Sequence, residues 1–150
     1  MKSAIIPMTL GLFVGLTGVA LADTDSIDGI RAATAKYTDV NVALAEGFFP
    51  APPGDCTSAA ELGAMGIHYI NPALLGLAPP GEGRVNGMGM NTDFTTPSVL
   101  LYEPQPDGSL MLVGVENLIF QAAWKDAGNS GPPMFGHQVW DTMADMPGTG

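Results

Sequence analysis

Val99-Leu100-Leu101-Tyr102-Glu103-Pro104-Gln105-Pro106-Asp107-Gly108-Ser109-Leu110-Met111-Leu112-Val113-Gly114-Val115-Glu116-Asn117-Leu118-Ile119-Phe120 decides the fold. It reads as a β-hairpin. Val99 to Glu103 is rich in apolar and aromatic residues, as strands are. Pro104 to Gly108 is a turn, with Asp107-Gly108 supplying backbone angles that most residues avoid. Leu110 to Phe120 returns as the second strand. Strict alternation puts Leu110, Leu112, Gly114, Glu116, Leu118 and Phe120 on one face, and Met111, Val113, Val115, Asn117 and Ile119 on the other. Both faces are largely apolar, so this second strand is expected at the centre of a sheet, covered on both sides.

Upstream, Gly66-Ile67-His68-Tyr69-Ile70 reads as another short strand, stopped by Asn71-Pro72. Residues 26–47 read as one helix. Ile27, Ile30, Thr34, Tyr37, Asn41 and Leu44 recur at spacings of three and four, beside Ala33, Val40 and Ala43. Asp25 or Ser26 caps its start, and Gly47 with Pro50 ends it. Its stripe is only moderately apolar, which suits a helix lying against a sheet. Phe49 to Cys56 is a loop, and Ser58 with Glu61 fits the capping box of a short helix ended by Gly63. Ala78 to Asn91 is a long surface loop. Trp124 to Gly136 is loop again, and Phe135 to Trp140 begins another strand or a cover segment. Twenty glycines and thirteen prolines in 150 residues promise extended loops. The expected fold is α+β: an N-terminal helix packed on a mostly antiparallel sheet with long Gly/Pro-rich loops.

The N-terminus carries an address. Lys2 precedes a largely apolar run from Ala4 to Ala20, and Ala20-Leu21-Ala22 has small residues at the two positions a signal peptidase reads. Residues 1–22 are expected to be a signal peptide and residues 23–150 a single exported domain, periplasmic or secreted. Pro7, Gly11, Gly15 and Gly18 interrupt the run, which is short for a membrane span of about 20 residues. No second long apolar stretch follows, so no membrane insertion is expected after cleavage.

Fifteen acidic residues stand against four basic ones after Ala22: Arg31, Lys36, Arg84 and Lys125. Nucleic acid is excluded as a partner, because phosphate binding needs clustered Lys and Arg. Cations or a cationic protein suit the acidic surface; simple solubility is the plainer explanation. Cys56 is the only cysteine. In an oxidising compartment it could pair with another chain, stay buried, or have lost its partner.

The candidate site residues are few. His68 and His137 are the only histidines, and Glu116 is the only acidic residue in the apolar return strand. A carboxylate there must be paired, protonated or metal-bound, because an isolated buried charge is very costly. Two imidazoles and a carboxylate are a sound ligand set for a transition metal such as Zn or Cu. Their spacing fits no compact metal motif, and the plainer alternative is a hydrogen bond from His68 or Tyr69 to Glu116. Met88-Gly89-Met90 and Met143-Ala144-Asp145-Met146 have thioether spacings that suit Cu(I), though Met is also an ordinary filler. Cys56 with His68 makes a poor nucleophile and base, since nothing basic flanks the thiol and Asp55 opposes its ionisation. No serine elbow and no convincing glycine phosphate loop is present.

Four segments carry a resemblance: Ala32 to Asp39 with Ala43 to Phe48; Gly63 to Pro72; Pro97 to Pro104 with Leu112 to Glu116; and Pro133 to His137. Together they resemble a family of small exported bacterial proteins with no assigned function. The resemblance spans most of residues 23–150. It implies that the chain continues past Gly150 with a His-x-Trp segment, an Asn-Pro-Gly-like turn and a late cysteine that would partner Cys56. The domain would then be incomplete at its C-terminus. His68, Tyr69 and Glu116 carry over as candidate site positions, with His137 a weaker match. Three functional readings follow, in order. The first is an exported domain binding a metal ion or small ligand through His68 and Glu116, with His137 nearby. The second is a non-catalytic cell-envelope interaction protein with an acidic surface. The third is an enzyme acting on a small extracytoplasmic substrate.

Overall fold

The computed structural model describes residues 26–59, 63–77, 87–135 and 138–142. The expected signal peptide, the Asp25 cap, Glu61, most of the 78–91 loop, His137 and the Met143–Met146 pair lie outside the described residues. An antiparallel sheet forms the frame and curls into a half-barrel. Its strands are β1 (Phe49–Pro50), β2 (Cys56–Ala59), β3 (Gly63–Ile70), β4 (Val99–Pro104) and β5 (Leu110–Glu116). The order is β1-β3-β4-β5, with β2 also pairing β3; β6 (Met134–Phe135) and β7 (Gln138–Val139) form a separate pair. The architecture is α+β, as the periodicities predict. Among the described residues no helix is long and apolar enough to cross a membrane.

The hairpin forms where the turn chemistry puts it. Gly108 has φ 83°, and Asp107 accepts hydrogen bonds from the Ser109 amide and hydroxyl. The positions of the strands within the sheet differ from expectation. The central strand is β4, with Val99 to Tyr102 all buried. Among the described residues β5 pairs only with β4, and Met111 and Val113 are exposed. It is an edge strand, and its apolar residues on both sides do not signify double cover.

A bulge also breaks its alternation. Tyr102 pairs with Leu112 but Leu101 pairs with Gly114, so Val113 is an extra residue. One extra residue turns everything beyond it to the other face. Leu110, Leu112 and Val115 therefore pack together, while Gly114 and Glu116 share the opposite face with Leu101 and Val99.

The single helix expected over 26–47 is three shorter pieces: α1 (Ile27–Thr34), a 3₁₀ turn (Ala35–Thr38) and α2 (Val40–Ala45). Ser26 caps α1 by accepting from the Gly29 amide. Thr34 donates its hydroxyl to the Ile30 carbonyl, a local bond that competes with helix continuation. Asp39 then starts a new helix by accepting from the Asn41 amide. The break lets Tyr37 turn inward and accept, through its carbonyl, the Tyr102 hydroxyl at 2.6 Å. Tyr37, Ala43 and Phe48 cover one sheet face against Tyr69, Leu100 and Tyr102.

Ser58 lies in β2, so the expected capping box at that position is not formed; an antiparallel pairing with β3 takes the backbone groups instead. Asn71 stops β3 as expected, and also caps α3 (Pro72–Leu75), accepting from the Ala73 and Leu74 amides. The second face of the sheet holds Ile70, Val99 and Leu101, with Leu75 of α3 and partly buried Leu77, Leu118 and Phe120 against them. Cys56 is exposed, which removes the buried alternative for it. The described chain also includes α4 (Gln121–Asp126), which runs into the segment expected to be loop from Trp124 onward.

A charged clamp holds the helical layer. Glu46 accepts from Lys36 Nζ at 2.7 and 2.8 Å and from the Tyr37 hydroxyl at 2.7 Å. The ammonium, then the phenol, hold the Glu46 carboxyl below its ordinary value. A carboxyl depressed on folding stabilises above its unfolded pKa and loses that contribution as pH falls through the folded value. Glu46→Gln is expected to flatten the acid limb of stability below about pH 4.5. Urea midpoints measured across pH 3 to 6 check this. Parallel acid limbs in the two proteins would remove the clamp from the account.

Candidate functional site

His68 and Glu116 meet on the second face of the sheet. They sit on β3 and β5, with β4 between them, so their strands lie two inter-strand spacings, roughly 10 Å, apart. Register explains how they touch. His68, Leu101 and Gly114 form one row across the sheet, and Ile70, Val99 and Glu116 the next. Gly114 adds no side chain to the first row, and a Cβ there would lie 3.1 Å from Leu101 Cδ1. Glu116 can thus lean diagonally over β4. His68 Nε2 lies 3.5 Å from Glu116 Oε2, with the two side chains 22% and 27% exposed. The bulge at Val113 makes this possible: without it Glu116 would stand on the helix-covered face.

The other ring nitrogen is the more informative one. His68 Nδ1 is buried and has no hydrogen-bond partner among the described residues. Buried polar atoms are nearly always satisfied. A carboxylate at Nε2 favours the tautomer with its proton there, leaving Nδ1 as a lone pair. That lone pair can accept from a hydroxyl or N–H donor, or bind a metal ion. In the metal case His68 is the ligand and Glu116 orients it, the arrangement that carboxylate–histidine pairs adopt around metals. Tyr69, the other expected partner of Glu116, points to the opposite face and packs edge-on against Tyr102 at 4.8 Å. Among the described residues no group of three His, Cys, Asp or Glu side chains could hold a metal.

A polar hub adjoins the pair. Asn117 follows Glu116, is buried, and accepts from the Ser98 amide at 2.8 Å and from Asn91 Nδ2 at 3.3 Å. Its own Nδ2 donates to the Asp93 carbonyl at 3.0 Å. Asp93 accepts from the Thr95 amide and hydroxyl and the Thr96 hydroxyl, and the Thr95 hydroxyl first among these holds its carboxyl below the ordinary range. The hub fixes residues 91–98 against the end of β5 and so fixes Glu116. Sequence patterning does not single out Asn117. Its one signal is an amide closing an apolar strand, opposite a threonine-rich segment that holds Asp93.

A second concavity lies elsewhere. A shallow, open groove of about 560 Å³ runs beside the β4–β5 turn, lined by residues including Thr38, Gln105, Asp107 and Leu112. Neither His68 nor Glu116 lines it, and its openness gives it no means of excluding water. The His68–Glu116 pair, with an unsatisfied buried nitrogen, is the stronger candidate.

Comparison with known proteins finds no matching family model, no matching curated protein and no matching solved structure.

Proposed function

We propose that the chain is an exported binding domain whose site is His68, oriented by Glu116. It takes a transition-metal ion such as Zn or Cu, or a small molecule presenting a hydroxyl or N–H donor. The observation that carries this reading is the buried Nδ1, without a partner among the described residues, of a histidine whose other nitrogen faces a carboxylate. Export rests on residues 1–22, and kinship with small exported bacterial proteins on the four sequence segments quoted above. Catalysis is not part of the reading.

Native mass spectrometry of protein purified from its own compartment tests it, with His68→Ala and Glu116→Gln alongside. The expected result is an added mass of a metal or small molecule, lost in His68→Ala. In Glu116→Gln binding weakens by about 10- to 100-fold, as when a group orienting a ligand is removed. An unliganded protein whose His68→Ala variant is only less stable would reject the proposal.

A second reading has one observation in its favour. Met111 and Val113 are exposed on edge strand β5, and unpaired apolar edges attract partners. An envelope interaction protein with an acidic surface would use such an edge, and its association would weaken with salt.

A further inference from the structure

We propose that Met88 and Met90 form a soft-metal site for a monovalent thiophilic cation, Cu(I), separate from the His68–Glu116 pair. Residues 87–90 alternate buried and exposed: Gly87 and Gly89 are buried, while Met88 is 65% and Met90 38% exposed. The two thioethers therefore stand on the solvent side of one short segment, two residues apart.

The glycines account for this arrangement. A Cβ on Gly87 would overlap the Phe120 ring, and one on Gly89 would lie 2.6 Å from the Leu75 carbonyl oxygen. Only glycine allows the segment to press so closely on its neighbours. Three backbone bonds pin it there. The Met88 amide donates to the Gly76 carbonyl at 3.1 Å, the Gly89 amide to the Leu75 carbonyl at 2.9 Å, and the Phe120 amide to the Gly89 carbonyl at 3.1 Å. The spacing of the two Met Cα atoms is thus held before any ligand arrives, which lowers the ordering cost of binding.

Met88 stands mostly in solvent, and Met90 keeps over a third of its surface exposed, so both can reach a dissolved ion. Thioether sulfur is a neutral, soft donor that prefers Cu(I) over Zn, Mg or Ca. The chain's formal net charge of −10 concentrates cations around it. Met65, Met111 and Met134 are also exposed, but each lacks a second methionine two residues away. They are internal controls.

The test titrates the full chain with Ag(I), a redox-inert probe of the same softness, in chloride-free buffer. Cys56→Ser is the background, because the exposed thiol would otherwise take the ion first. Methionine methyl resonances are followed residue by residue. One equivalent is expected to shift Met88 and Met90 together and leave Met65, Met111 and Met134 in place. Met88→Leu or Met90→Leu should weaken binding by about tenfold or more, and the double variant should abolish it, with unchanged thermal unfolding. Equal shifts at all exposed methionines, binding centred on another residue such as His68, or a double variant that still binds one equivalent would each overturn the site.

Discussion

Tyr102→Ala is expected to destabilise the domain by about 4 kcal/mol, the middle of the range for removing a large buried aromatic side chain. Tyr102 is the largest fully buried side chain described, with no exposed surface. Its ring packs edge-on against Tyr69, and its hydroxyl donates to the Tyr37 carbonyl at 2.6 Å. Truncation opens a cavity between sheet and helical layer and leaves that carbonyl without its donor. Domains of this size are stable by only about 5–15 kcal/mol, so the variant should sit close to unfolding. Urea denaturation measures the loss.

Tyr102→Phe separates the two contributions, because it keeps the ring and should cost about 1–2 kcal/mol for the hydrogen bond. Burial, ahead of the neighbouring Tyr69 and Tyr37, pushes the Tyr102 phenol up to about 12. A raised pKa stabilises fully below the unfolded value of 10.0, and that contribution fades as pH rises through about 12. The phenylalanine variant should therefore lose part of the alkaline decline seen in the parent. A loss under about 1 kcal/mol for Tyr102→Ala would mean that the two layers are not joined through this residue.

Gly66→Ala is expected to cost about 2–3 kcal/mol, through backbone strain and a steric clash acting together. Gly66 has φ 103°, where L side chains are strained. A Cβ there would lie 2.8 Å from the Tyr102 carbonyl oxygen, backbone in the middle of the sheet that cannot step aside. The glycine sits at an irregularity in the β2–β3 pairing, where Thr57 pairs with Gly66 but Ser58 with Ala64. Gly108→Ala is the control. Gly108 has φ 83°, but an added methyl would meet nothing within 4 Å, so only the strain remains and the cost should be about 1 kcal/mol. Equal losses in thermal unfolding for the two variants would show that the Tyr102 carbonyl has room to move.

The candidate site is half legible in the sequence. His68 and Glu116 stand out because polar residues in apolar strands demand an explanation, and the fold does bring them together. Sequence alternation puts Glu116 on the same face as Leu110 and Leu112, whereas the structure turns it to the opposite one. The extra residue at Val113 is a property of how two strands pair, and composition does not record it. The same limit applies to strand order. Leu110 to Glu116 is apolar on both sides, as a central strand would be, yet among the described residues it pairs only with β4 and leaves Met111 and Val113 about half exposed.

The helical segment shows a different limit. Spacing over residues 26–47 supports a continuous helix, and Ser26 caps it as expected. Thr34 and Asp39 offer competing side-chain bonds that a periodicity does not weigh. Their local preference wins because breaking the helix lets Tyr37 reach Tyr102.

Sequence by itself determined the α+β class, the hairpin with its Asp107-Gly108 turn, the stop at Asn71-Pro72 and the choice of His68 and Glu116. These depend on interactions within a few residues: turn angles, caps, alternation and the cost of an unpaired charge. Tertiary structure alone decided that β4 is central, that the bulge carries Glu116 to the face of His68, and that Nδ1 of His68 has no partner among the described residues. Those outcomes depend on which strands pair and in what register, and such contacts join residues tens of positions apart.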